Sequence, residues 1–267
     1  MHSGRYLSAW SYADVLYQGY FVAFLVLNTI GVPANPGKAA CTNSSQTQVD
    51  FGTFAGPHFA GMHGGVAYRV LGRSWYQKWF VHRRHRPESG GGIVHLIKTG
   101  QGSSVNGGLN DNVLNSQALQ SIFDKYGTYL LSQAFPEGSP THPSYSTGHG
   151  VVAGACITIL KFFFDDNFVI PNPQVPTEDG LALVPYTGSD RDQITVNSEL
   201  NKLAHNNITF GHGIHAGIHW RSDSDVSMVV EEATAISFLQ DQAQTFNEKF
   251  TVHFTKLDET TATISNQ

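Results

Sequence analysis

Helical periodicity recurs along most of this 267-residue chain, at about 11–31, 56–81, 111–134, 148–165, 196–219 and 224–246, whereas strand-like alternation is confined to the tail. That contrast restricts the chain to a mainly α architecture, a helical bundle. Its only expected sheet is a short C-terminal hairpin, Phe250 to Phe254 with Thr260 to Ile264. The connecting loops, 33–55, 87–110, 135–147 and 166–194, are long and rich in Gly, Pro, Ser and Asn. Loops of that length in a compact domain are usually functional. No internal repeat or low-complexity linker divides the chain, so a single helical domain over 1–267 is expected. A hydrophobic share of 40% with 14% charged residues suits a packed core rather than a disordered chain.

The apolar stretch Val15 to Val32 approaches the length of a membrane span. Gln18, Gly19 and Asn28 within it, and Pro33 and Pro36 after it, read instead as a buried core helix. No positively charged segment with a cleavage site precedes it, so no secretory signal is visible. The compartment stays open: secreted or periplasmic if a further N-terminal part exists, which the abrupt start of the first apolar helix hints at. A net charge of -5 offers no large basic face and argues against nucleic acid. Cys41 and Cys156 make neither a disulfide framework nor a thiolate metal site, and Cys156, inside the apolar run Val151 to Leu160, reads as a buried inert thiol.

The basic residues crowd between Arg73 and Arg86, a pattern that fits a solvated helix end or a small-anion site. On one continuous helix ended by Pro87, Lys78 and Arg86 face within about 80° of each other over two turns. An ammonium and a planar guanidinium suit a tetrahedral oxyanion such as phosphate or vanadate. The segment Pro140-Thr141-His142-Pro143-Ser144-Tyr145-Ser146-Thr147-Gly148-His149-Gly150 runs straight into an apolar helix. Thr147 stands as its N-cap, and the N–H groups of Gly148 and His149 sit at the positive helix end, where an oxyanion can lie. His149 adds an imidazole that gives or takes a proton near neutral pH. Among the 13 histidines a third group spans His205 to His219. His215 and His219, four apart, could hold zinc as a pair on one helix face. No Glu follows His215, however, and Asp223 stands where a carboxylate orients His219 through its other ring nitrogen.

Lys-x7-Arg-Pro, Pro-Ser-Tyr-Ser-Thr-Gly-His and Gly-Ile-His-Trp-Arg-Ser-Asp together resemble the three-part signature of the vanadium-dependent haloperoxidases and the related acid phosphatases. Pro140 to His149 is most similar to the algal and cyanobacterial bromoperoxidases, and the chain resembles the C-terminal half of such longer enzymes. The resemblance implies a vanadate cofactor held by Lys78, Arg86, Thr147 and Gly148 with His219 as axial ligand, and His149 as acid–base group. His142 matches a histidine carried beside the site by bromide-oxidising members. Lys78 would polarise the peroxide. Implied partners are hydrogen peroxide, a halide ion and a small organic acceptor, in a homo-oligomer or in association with a missing N-terminal half. Thr147 replaces the algal serine, and Gly213 stands where an arginine is expected, six residues before the axial histidine. Loss of a guanidinium lowers anion affinity by about 1.5–3 kcal/mol, or about ten- to a hundredfold. Arg73, Arg83, Arg84, Arg221, His212 and His215 are the candidates to replace it. A phosphatase with a nucleophilic His219, favoured by Asp223, and a non-catalytic anion-binding subunit stay open.

Overall fold

The computed structural model describes residues 4–42, 47–102, 105 and 109–267, and it is the helical bundle that the periodicity implies. Helix α8 (Gly148–Phe163) is its axis: every residue from Gly150 to Phe163 is buried. A helix apolar on all sides must be enclosed on all sides. Helix α10 (Arg221–Ala243) and helix α4 (Gly56–Tyr76) supply most of that enclosure, with α2 (Gln18–Thr29) beside them. Gly154 permits the closest crossing, since a Cβ there would lie 2.0 Å from the Met228 carbonyl oxygen of α10. Phe24 stacks on Phe59 with ring centroids 3.9 Å apart, joining α2 to α4.

The C-terminal hairpin, β3 (Thr251–Thr255) antiparallel to β4 (Thr261–Ser265), closes one end of the core with Val252, Phe254, Ala262 and Ile264. It falls within one residue of the expected strands. Two loops expected to lack secondary structure contain some: 33–55 holds a one-turn helix, α3 (Ala39–Thr42), and 166–194 a second hairpin, β1 (Gln174–Pro176) with β2 (Leu183–Pro185).

Several expected boundaries are corrected. The helix expected at 11–31 is two, α1 (Gly4–Ala13) and α2, because the chain breaks at Asp14, whose carboxylate turns to His149. The stretch 111–134 holds two short helices, α6 (Asp111–Leu114) and α7 (Gln117–Tyr126). Asn110 and Ser116 each accept a backbone N–H as N-caps, and Gly127, at φ 67°, stops α7 in the left-handed region. Pro87 does not end a helix but begins one, at the first position of α5 (Pro87–Lys98), with Glu88 in its first turn. Two of the glycines that read as loop are spacers here: a Cβ on Gly90 would lie 2.7 Å from the Trp220 ring and one on Gly91 2.7 Å from the Leu131 backbone nitrogen.

Two helices widen into π-turns. Helix α4 continues as a π-helix over Gln77–His82, and α9 (Val196–Lys202) continues as one over Leu203–Ile214. Such widenings are frequent at functional sites. Among the described residues no helix is long and apolar enough to cross a membrane. The stretch Val15 to Val32, expected as a buried core helix, is buried on one side only: Tyr20 and Leu27 of α2 face the core, while Val15, Val22, Leu25 and Val26 are exposed.

Candidate active site

Lys78 and Arg86 do reach one place, but not along one helix. Lys78 lies in the π-turn; Arg83 then adopts φ 45°, in the left-handed region, and reverses the chain. Arg86 stands in extended conformation as the residue before α5. Both side chains are inside, at 2% and 5% exposure, and neither forms an ion pair with a carboxylate among the described residues. Their donors are met by the loop that covers them. Lys78 Nζ donates to the carbonyls of Pro143 (2.7 Å) and Ser144 (3.2 Å). Arg86 donates to the carbonyls of His142 (3.0 Å) and Ile218 (2.9 Å).

The remaining guanidinium hydrogens fix two histidine tautomers. Arg86 Nη1 lies 3.0 Å from His219 Nε2 and Nη2 lies 3.1 Å from His142 Nδ1. Arginine only donates, so both ring nitrogens are lone-pair acceptors. The proton of His219 is therefore on Nδ1, 3.4 Å from Asp223 Oδ2, as the i, i+4 spacing implies. Burial, aided by the cations Arg86 and Lys78 and opposed by Asp223, lowers the His219 pKa to about 3, so the ring is neutral. His142, which lies against the Trp75 ring, is lowered to about 4 by burial and by the same two cations. Burial and then Arg86 lower Lys78 to about 7, and burial lowers Arg86 to about 10, with Asp223 pulling both the other way. Two buried cations therefore stand beside a neutral imidazole whose Nε2 lone pair faces the guanidinium.

Asp223 anchors the other side. Fully buried, it accepts from the Trp220 N–H (2.9 Å), Arg84 (2.9 Å) and the Ser144 hydroxyl. Burial raises its pKa, but the bonds from His219, Ser144 and Trp220 outweigh this and hold it below the ordinary value. Thr147 precedes α8 as expected, yet its hydroxyl does not cap the helix; it lies 3.3 Å from both His219 Nδ1 and Ser224 Oγ. Gly148 opens α8, where the first N–H groups have no intrahelical acceptor.

His149 faces a different partner. Its Nε2 is 2.9 and 3.1 Å from the two Asp14 oxygens, and its ring meets His212 edge-on at 5.0 Å. Of the expected site residues, Lys78, Arg86, His142, Thr147, His219 and Asp223 thus share one hydrogen-bonded network, with Gly148 next to Thr147, and His149 lies one step further on. Ser144 and Asp14 had not been singled out from the sequence. Ser144 lies within the Pro140 to Gly150 segment with no signal of its own, and Asp14 is 135 residues from His149 in sequence.

The helix face that the zinc pair required is not formed. His215 is exposed in a turn beyond the π-helix, so it shares no helix face with His219. Of the candidates to replace the missing arginine, Arg73, Arg84 and Arg221 are committed to Glu231, Asp223 and Asp225. At Gly213 itself a Cβ would lie 3.1 Å from the His219 ring.

No family model matches the chain. It is 38% identical over 280 residues to a vanadium-dependent bromoperoxidase of Corallina officinalis, covering 97% of this chain and 46% of that protein. A vanadium-dependent bromoperoxidase of Ascophyllum nodosum is 37% identical over 202 residues, 71% of this chain and 35% of the relative. The chain thus spans about half the length, or less, of the curated relatives it matches. Among solved structures, the homohexameric second vanadate-dependent bromoperoxidase of Ascophyllum nodosum superposes with a TM-score of 0.82 at 28% identity, over 99% of this chain and 49% of that one.

Proposed function

The chain belongs to the vanadium-dependent haloperoxidase family, and from that premise we propose that it oxidises bromide, or iodide, with hydrogen peroxide, using orthovanadate bound among Lys78, Arg86, Thr147, Gly148 and His219. The product is hypohalous acid, which halogenates small organic acceptors. The observation that carries this reading is the pair of buried cations, Lys78 and Arg86, without a carboxylate partner among the described residues and beside the His219 Nε2 lone pair. Buried charge without a counter-charge is unfavourable, and a tetrahedral oxyanion would relieve it. The donor set fits vanadate: an ammonium, a guanidinium fork, a hydroxyl, helix N–H groups and an imidazole acceptor.

Bound vanadate supplies a Lewis acid that activates peroxide without itself changing oxidation state. The chain does the rest. With the anion held by Arg86, the His219 Nε2 lone pair would be available to it, while Asp223 would keep the His219 proton on Nδ1. Lys78 donates to the oxygen where negative charge develops. His149 would hold and release the proton that the chemistry needs, and its Asp14 contact would orient it for that role. His142, neutral against Trp75, lines the halide approach without adding charge. Residues 1–267 act together as one catalytic unit matching half of the longer enzymes.

A homo-oligomer is part of the proposal. Tyr6, Trp10, Val22, Leu25 and Val26 of α1 and α2 are exposed, and apolar surface of this kind is suited to helix packing between copies. Light scattering on the purified chain tests it, with a monomer as the contrary result.

The activity test is peroxide- and bromide-dependent bromination of a phenolic dye, with and without orthovanadate, beside hydrolysis of para-nitrophenyl phosphate. Bromination that needs vanadate and vanishes in His219→Ala supports the proposal. Phosphate release without bromination assigns a nucleophilic His219 instead, and silence of the folded protein in both assays assigns an anion-binding subunit.

A further inference from the structure

We propose that Asp14, His149 and His212 form a binding site for a divalent first-row transition ion, of the Zn2+ or Co2+ class, beside the oxyanion pocket. Three parts of the fold build it: the residue that follows α1, the first turn of α8 and the end of the second π-helix. Each residue offers one ligand atom, and the three atoms lie within 4.8 Å of one another. Ligands about 2.0–2.2 Å from a tetrahedral ion sit about 3.3–3.6 Å apart, so the cluster needs to contract by about an ångström. The pair His149 Nε2 and Asp14, at 2.9 Å, is already that close.

A hydrogen-bonded Asp–His pair alone would explain Asp14 and His149 but not His212. Its ring stands at 87° to that of His149 with centroids 5.0 Å apart, so the two imidazoles approach from perpendicular planes. His212 is 3% exposed, and its Nδ1 has no hydrogen-bond partner. A buried imidazole with an unpartnered nitrogen, and with a ligand atom within 4.8 Å of a carboxylate oxygen and a second imidazole nitrogen, is a donor set that suits a cation. Two nitrogens and one carboxylate, with no thiol, favour borderline first-row ions over Mg2+ and Ca2+, which take oxygen ligands. The enclosure is suitable as well, since the side chains of His149 and Asp14 are 15% and 4% exposed.

Binding replaces the proton on His149 Nε2 with the ion and releases that proton to solvent. The site stands on the geometry of these three residues and does not depend on the halide chemistry. If His149 is also the acid–base group proposed above, a bound ion and proton transfer exclude each other, and the ion is an inhibitor.

The probe is Co2+ in buffer free of vanadate, phosphate and peroxide. Isothermal titration and the visible d–d absorption should show one Co2+ per chain, displaced by Zn2+. Asp14→Asn and His212→Gln should each weaken it by about tenfold or more, since even partners behind a ligand are worth that much. Co2+ should also broaden the imidazole NMR signals of His149 and His212 in the unsubstituted protein, a measurement that does not require either variant to fold. Absence of Co2+ uptake, equal affinity in both variants, or broadening of other histidines only, overturns the proposal. Because binding is read without halide or peroxide, its outcome is separate from that of the bromination assay.

Discussion

Replacing Lys78 with methionine separates what its ammonium does for the fold from what it does for the anion. Burial and Arg86 lower its pKa from 10.5 to about 7, against the pull of Asp223. Between these values the unfolded chain holds a proton that the folded chain lacks, so stability rises with pH across the window. The penalty is full below about pH 7 and absent above about 10.5. At about 1.36 kcal/mol per unit, the parent gains up to about 2.7 kcal/mol between pH 7 and 9 that Lys78→Met does not. Lys161, lowered to about 8 mainly by burial, contributes with the same sign in both proteins and cancels in the difference. Losing the donor also strands the carbonyls of Pro143 and Ser144, which costs about 1–3 kcal/mol at every pH and moves the curve without changing its slope. Urea unfolding at pH 7, 8 and 9 in anion-free buffer measures the difference. Orthovanadate at about a hundred times its Kd should then add about 2.7 kcal/mol to the parent and much less to the variant. Parallel pH curves, or equal stabilisation by vanadate, would refute the reasoning.

Asp223→Asn should lower stability by about 2–4 kcal/mol in urea unfolding, below the full figure for a broken buried pair because Arg84 is partly exposed. It should also weaken vanadate binding by about ten- to a hundredfold by releasing the His219 tautomer, whereas unchanged binding would contradict the orienting role. Gly213→Arg, although it restores the family's expected residue, should weaken vanadate binding, because its Cβ begins 3.1 Å from the His219 ring; tighter binding by equilibrium dialysis would contradict this. Gly154→Ala should destabilise by about 1–3 kcal/mol or more by forcing α8 off the Met228 carbonyl, and a loss below about 0.5 kcal/mol would show that the crossing can yield.

Sequence reading succeeded where one local signal was enough. The uninterrupted apolar run behind Thr147 gave α8 to within two residues, and period-2 alternation gave the C-terminal hairpin. It failed where tertiary contacts decide. Nothing near Asp14 signals a break; the chain turns there because a carboxylate meets an imidazole 135 residues away. Gly90 and Gly91 read as loop because the groups that need their missing side chains, the Trp220 ring and Leu131, are remote in sequence. The same gap explains Lys78 and Arg86. Their convergence was legible as composition, but the π-turn and the left-handed Arg83 that produce it were not. The motif residues themselves came together because short segments carry their own spacing.

The bonds that Lys78 and Arg86 send to the covering loop and to the His219 segment close stretches of 56 to 133 residues. Closing stretches of that size is entropically slow and is rewarded only after the intervening helices have docked. A chain caught partway through folding therefore has no pocket to offer. The proposed oxyanion capture would then mark completed assembly: vanadate would bind only finished molecules of the folding population, and its retention would measure how rarely they reopen.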